Sequence, residues 1–203
     1  MTGVPLRWGA DAPDDVNEAR ARLLDAAQRC FEERGMLKTT VEHIARAAKV
    51  SRATVYRYFD DRDAIVLGVL LRDTDRYLSR VRGRIERQPD LGAAIVEFVD
   101  LTARAARRDV SLGMLFTGED ARATGGIIAG ASVALFERVT EFFRPIFARW
   151  AGQVRPGVDV GDASEWILRV LLSLLTVEGP RRRSADAQRA YVERFLLPAI
   201  VRT

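Results

Sequence analysis

Between Thr39 and Phe59 the string TTVEHIARAAKVSRATVYRYF gathers the side chains with the clearest capacity for chemistry. Arg52, Ala53 and Thr54 open a helical stretch with the short or hydrogen-bonding groups that a helix needs at its first turn to enter a major groove. Thr40, Tyr56, Tyr58 and Arg62 add hydroxyls and a guanidinium that suit phosphate oxygens. The chemistry is therefore ion pairing and hydrogen bonding to a polyanion. From Arg34 to Arg62 seven basic residues stand against Glu42, Asp60 and Asp61, a local footprint that the whole-chain charge of +4 does not reveal.

Other chemistry is poorly supplied. One cysteine, Cys30, and one histidine, His43, make neither an internal disulfide nor a metal-ligand set, and they leave no partner for a histidine-dependent triad. Cys30 lies on an apolar stripe and reads as core, and His43 as a surface or packing residue. No enzyme activity, cofactor or metal is expected. All basic residues except Lys38 and Lys49 are arginine, and they are spread along the whole chain, so their number points to no function. The apolar run Trp166 to Val177 is broken by Arg169 and is too short to cross a bilayer. The first residues lack the basic start and apolar core of a secretion signal. A cytoplasmic protein without a membrane partner is expected.

The elements that must position these groups are all helical, because apolar spacings of three and four recur and strict alternation is absent. The chain reads as all-α: an arm at 1–14, a three-helix module at 15–62 and a larger helical domain at 63–203. Asp15, with Glu18 three residues on, opens the first helix and Gly35 ends it. Thr39 with Glu42 opens a short second helix. After the link Ala48-Lys49-Val50, Ser51 caps a third, and so tight a link fits a helix-turn-helix. Asp60 and Asp63 start a fourth. Later helices are expected over Leu91 to Arg108, Val110 to Phe116, onward to Trp150, Ser164 to Glu178 behind an Asp162 cap, and Ala185 to Ile200.

The string TTVEHIARAAKVSRATVYRYFDDRDAI, preceded by ARLLDAAQRCFEERG, resembles the DNA-binding module of the TetR family of transcriptional repressors over roughly residues 17–70. The resemblance implies a homodimeric repressor whose modules bind a palindromic operator in double-stranded DNA and whose C-terminal helices enclose a small-molecule effector. It implies that Arg52, Ala53, Thr54 and Arg57 face bases or nearby phosphates while Thr40, Tyr56, Tyr58 and Arg62 clamp the backbone; Thr39 and Lys49 complete the candidate set. One residue departs from the pattern. Family members commonly carry Gly where this chain has Lys49, and a left-handed backbone there costs a non-Gly residue roughly 1 kcal/mol. Either the turn avoids that conformation or a phosphate contact by Lys49 offsets the cost.

Past the module the residues are less specific. Trp166, Val170, Leu174 and Val177 form one stripe and Ile167, Leu171 and Leu175 another, so that helix is apolar around most of its circumference, as is the stretch carrying Tyr191 and Phe195. One face can meet the chain's own core and the other a second subunit, in line with the dimer interface that the resemblance implies. Met114, Phe116, Phe136, Phe143, Phe147, Trp150 and Trp166 either line an effector pocket or are plain core. The ionisable residues of this domain mostly fall at positions that helical spacing sends outward, so a pocket here favours an apolar effector. A helical carrier or enzyme with a degenerate helix-turn-helix is the rival reading.

Overall fold

A computed structural model describes residue 8 and residues 13–108, 119–177, 179–180 and 183–202, with side chains left out over 119–132. The described residues form eight α-helices: α1 (Val16–Arg34), α2 (Val41–Ala47), α3 (Arg52–Tyr58), α4 (Arg62–Glu86), α5 (Leu91–Arg108), α6 (Glu119–Arg149), α7 (Val160–Thr176) and α8 (Ala185–Phe195). Among them the only strand-like pairing is a single antiparallel bridge, Val154 to Val201, which ties the chain's end to the loop after α6. The all-α expectation holds. The expected short helix near Val110, with Met114 and Phe116, lies outside the described residues.

Most helix starts follow their capping residues. Asp15 accepts from the Glu18 amide at 2.8 Å and Ser51 from the Thr54 amide at 3.1 Å, each satisfying an amide that the first turn leaves without a helical partner. Three starts differ from the sequence reading. Thr40, not Thr39, caps α2, and the second half of its capping box is the His43 ring, whose Nδ1 accepts from the Thr40 amide at 3.2 Å. Asp61, not Asp60, caps α4. Asp159, not Asp162, caps α7, because its carboxylate reaches two amides, Gly161 at 2.6 Å and Asp162 at 3.0 Å. The last helix stops at Phe195 and continues as a single 3-10 turn, Leu197–Ala199, since Pro198 has no amide to extend it.

Two hydrophobic cores result, and α4 serves both. Its first half sends Ile65, Val66, Val69 and Leu70 among Leu23, Phe31, Ile44, Val55 and Phe59 of the first three helices. Its second half sends Tyr77, Leu78 and Ile85 among residues of α5 to α8. A side chain at Gly68 would put its Cβ 2.9 Å from Leu24 Cδ2 and 3.3 Å from Phe59 Cε1, so glycine lets α4 seat on α1 without displacing the Leu24 side chain. Ion pairs fasten the same helix at both ends of its middle: Arg72 to Asp25 of α1 at 2.7 Å, and Asp75 to Arg138 of α6 at 2.9 Å. Displacing α4 relative to either core therefore breaks named contacts. Trp8, within the segment read as an arm, is buried against the first core with its ring edge toward Tyr58.

The larger core is aromatic at its centre. Phe143 packs at ring-centroid distances of 4.9 Å from Phe98 and 5.3 Å from Phe142, and at 6.0 Å from Phe147. Two residues are exceptions to the outward placement of this domain's ionisable groups. Glu97 and Asp100 of α5 are buried, not sent outward, because three arginines from different turns converge on them: Arg84 of α4, Arg104 of α5 and Arg189 of α8.

Candidate nucleic-acid interface and the groove on the last helices

The short α3 has two distinct faces. Thr54, Val55 and Tyr58 are buried, whereas Arg52, Ala53, Tyr56 and Arg57 are exposed. Val55 and Phe59 pack with Ile44 and Phe31, as their spacing predicts, and the inward stripe of this seven-residue helix takes Thr54 and Tyr58 with them. Lys49 precedes α3 on the exposed side with φ of 56°, among the described residues the only non-Gly residue in the left-handed region. The turn thus does adopt the costly conformation, closed by the Val50 amide on the Ala45 carbonyl at 2.9 Å. Lys49→Gly is expected to stabilise the chain by about 0.5 kcal/mol, the strain relieved less the entropy that glycine returns to the unfolded chain. A higher urea midpoint at unchanged m-value is the readout.

Four nominated residues are placed differently from the sequence reading. Thr39 is buried, and its hydroxyl is shared between the carbonyls of Gly35 at 2.9 Å and Cys30 at 3.0 Å, so it locks the end of α1. Thr54 is buried with its hydroxyl 2.9 Å from that of Ser51, inside the cap. Tyr58 lies under Trp8 in the module core. Arg62 is turned inward: its Nε donates to the Thr39 carbonyl at 2.9 Å and another nitrogen donates to the Met36 carbonyl, clasping the α1–α2 turn to α4. Thr40, Lys49, Arg52, Ala53, Tyr56 and Arg57 remain on the outer surface.

Two residues that the sequence reading left aside shape this surface. Arg20 of α1 stacks its guanidinium 4.3 Å from the Phe59 ring centre and donates to the Tyr58 carbonyl, holding the end of α3. Glu42 of α2 meets Arg52 with its carboxylate 2.7 Å from Nη1. The Glu42 backbone amide and the Thr40 hydroxyl, together with the Arg52 charge, hold this carboxyl below the usual carboxylate range. No local pattern marks Arg20. For Glu42 the signal was its sign: it is the one acidic residue between Val41 and Tyr58. Cys30 is buried, and burial pushes its thiol pKa up, which makes it a poor nucleophile. Among the described residues no group of three or more His, Cys, Asp or Glu stands ready to hold a metal, and no helix is long and apolar enough to cross a membrane.

α7 and α8 leave an open groove of about 400 Å³ lined by Trp166, Val170 and Leu174 from one helix and Tyr191 and Phe195 from the other. Trp166 is 44% exposed, Phe195 59% and, just past the helix end, Val177 65%. Five of the six nominated interface residues thus line one groove, and the sixth, Val177, is exposed at the end of α7. The same exposure corrects a second reading of Trp166: it stands outside the core and closes no interior pocket. Of the other nominated pocket residues, Phe143 and Phe147 are buried in the ring cluster, while Phe136 and Trp150 are half-buried beneath the Arg169 and Arg149 guanidinium groups.

A family model described as bacterial regulatory proteins, tetR family, matches residues 23–69, which span most of α1 through the first half of α4. The HTH-type transcriptional regulator Rv1255c of Mycobacterium tuberculosis is 31% identical over 182 residues, covering 90% of this chain and 85% of that protein. Among solved structures, the TetR family repressor AlkX from a Dietzia strain, implicated in n-alkane biodegradation, is 22% identical with a TM-score of 0.65, covering 88% of this chain and 95% of that one. The regulator FadR from Bacillus subtilis, solved with stearoyl-CoA, is 18% identical with a TM-score of 0.55, covering 87% and 96%. At these identities the two structures share the fold with this chain.

Proposed function

Because the chain belongs to the TetR family of bacterial transcriptional regulators, we propose that it is a cytoplasmic, homodimeric repressor that binds a palindromic operator with two copies of α3 and is released by a small, mainly apolar effector. The observation that carries the DNA reading is the outer face of α3, where Arg52, Ala53, Tyr56 and Arg57 stand together beside Lys49. A hydroxyl and two cations on one exposed helical face, with Lys49 beside them, serve no packing purpose, and they match the mixture of phosphate and base-edge partners that a recognition helix meets. Thr40 flanks that face from the first turn of the preceding helix.

Dimerisation is supported by the α7–α8 groove, whose large apolar side chains remain open to solvent in a single chain. The effector reading is supported by the aromatic core around Phe98 and Phe143 and by fold relatives associated with apolar chains: FadR was solved with stearoyl-CoA, and AlkX is implicated in n-alkane biodegradation. An effector that binds the non-DNA arrangement a hundredfold better supplies roughly 2.7 kcal/mol of coupling. α4 is the element through which it would act, since it is packed into both cores.

The test is binding to the duplex flanking the protein's own gene, measured by anisotropy across a range of salt concentrations. Arg57→Ala is expected to weaken binding on all sequences alike and to lower the salt slope by about one unit per subunit. Tyr56→Phe is expected to weaken binding without changing the slope. A parent protein that binds no duplex, or an Arg57→Ala slope equal to the parent's, would sink the α3 reading.

A further inference from the structure

Glu42 is out of place on a surface that meets DNA. It is the one carboxylate between Val41 and Tyr58, and the exposed neighbours Arg46, Lys49, Arg52 and Arg57 are all cations. A negative charge beside a polyanion opposes binding unless it does something else. Its position on the first turn of α2, hydrogen-bonded at the helix start, keeps it ionised, and its Oε1 is 2.7 Å from Arg52 Nη1. Arg52 sits on the first turn of α3, where the unpaired amides of the helix start disfavour a cation. Thr54, the other hydrogen-bonding residue of that turn, has its hydroxyl committed to the Ser51 cap. Arg52 is thereby left as the one long hydrogen-bonding side chain on the leading turn of α3, and a carboxylate already occupies it.

We propose that Glu42 sets the specificity of this regulator by keeping Arg52 Nη1 in the ion pair, which denies the arginine to phosphates, while the Nε and Nη2 edge of the same guanidinium meets a guanine of the operator. This rests on the reading of α3 as the element that meets DNA. A phosphate on random DNA offers Arg52 a charged partner no better than the one it has, so the exchange gains little. A guanine presents O6 and N7 side by side, and Nε and Nη2 donate to both in parallel while Nη1 stays on Glu42, so the operator contact leaves the pair unbroken. The pair therefore taxes non-specific binding more than operator binding. As a pair on the surface it contributes little to folding, and its removal leaves the module intact.

The experiment compares two probes: a duplex selected by the parent protein from a random library, and a random-sequence duplex of equal length. Glu42→Gln, nearly isosteric and neutral, is expected to raise affinity for the random duplex roughly five- to tenfold. It should change affinity for the selected duplex less than about twofold, so that the specificity ratio falls. The salt slope on the random duplex should steepen by about one unit per subunit as Arg52 takes up a phosphate. In an Arg52→Ala background, Glu42→Gln should no longer alter the ratio. Equal gains on both duplexes would mean that Glu42 acts only as a repulsive charge, and would overturn the proposal. An unchanged ratio would overturn it too, as would the same fall in ratio with Arg52 absent. Failure of the parent to bind either duplex would instead refute the DNA reading of α3, and is distinct from all of these.

Discussion

The Phe195→Glu chain is expected to sediment as a folded monomer and to bind operator at least on the order of a hundredfold more weakly than the parent. Phe195 is 59% exposed beside Tyr191, with ring centres 4.8 Å apart, so a carboxylate there stays in water within a single chain. The fold of the single chain should then change in stability by no more than about 0.5 kcal/mol. In a dimer formed across the α7–α8 groove, the same charge enters an apolar interface without a partner and costs several kcal/mol per copy. The separated subunits hold one half-site each and lose the effective concentration that a linked second site provides, a factor of roughly 10² to 10⁴. Leu174→Glu strikes the same face, but Leu174 is half-buried against the chain's own core, so Phe195 is the cleaner probe. A parent that is monomeric at micromolar concentration, or a Phe195→Glu protein that still sediments as a dimer, would refute this interface.

The legibility of the fold in the sequence divides along the range of the interactions. Asp15 and Ser51 act within one turn of themselves, and both start the helices they were expected to start. Where two equivalent residues stand close together, local rules do not choose. Thr39 and Thr40 are equally good caps, and the choice was made by the carbonyls at the end of α1, which engage the Thr39 hydroxyl. Asp159 and Asp162 pose the same problem, and the earlier one prevailed by reaching two amides at once.

The candidate site shows the same limit. Ala53 and Tyr56, nominated for their side-chain types, and Arg57, nominated through the family resemblance, all stand on the exposed face opposite Val55. Arg62 reads as a phosphate partner because a guanidinium suits one, but its partners are backbone carbonyls from the turn before α2, with no mark in their own side chains. Tyr58 was misassigned because its cover is Trp8, fifty residues away in the chain. At Lys49 the family resemblance marks a position commonly held by glycine and leaves two alternatives open, and the structure takes the left-handed one.

The buried carboxylates of α5 were the least legible feature, and they yield the second large effect. Arg189→Ala is expected to destabilise the chain by about 2–3 kcal/mol, lowering its melting temperature by roughly 5–10 °C. Arg189 Nη1 lies 2.8 Å from both Glu97 Oε2 and Asp100 Oδ2, while Arg84 and Arg104 each hold one of the two at 2.6 and 2.7 Å. Removing the shared arginine leaves two nearly buried charges half-compensated, which is why the loss falls below that of an isolated buried pair. The pH dependence follows with a definite sign. Burial pushes the Glu97 carboxyl up, but hydrogen bonds from Arg189 and Arg84 more than reverse this and hold it below the usual range. A depressed folded value means that the contribution is fully present above the ordinary carboxylate pKa of about 4.3 and is lost as pH falls through the lower folded value. The gap between parent and Arg189→Ala should therefore be widest near neutrality and shrink in acid, as read from urea midpoints at each pH. Glu97→Gln with Asp100→Asn, placed on the Arg189→Ala background, should restore at least half of the loss by removing the uncompensated charges. No recovery would assign the loss to the packed arginine stem instead of its charge.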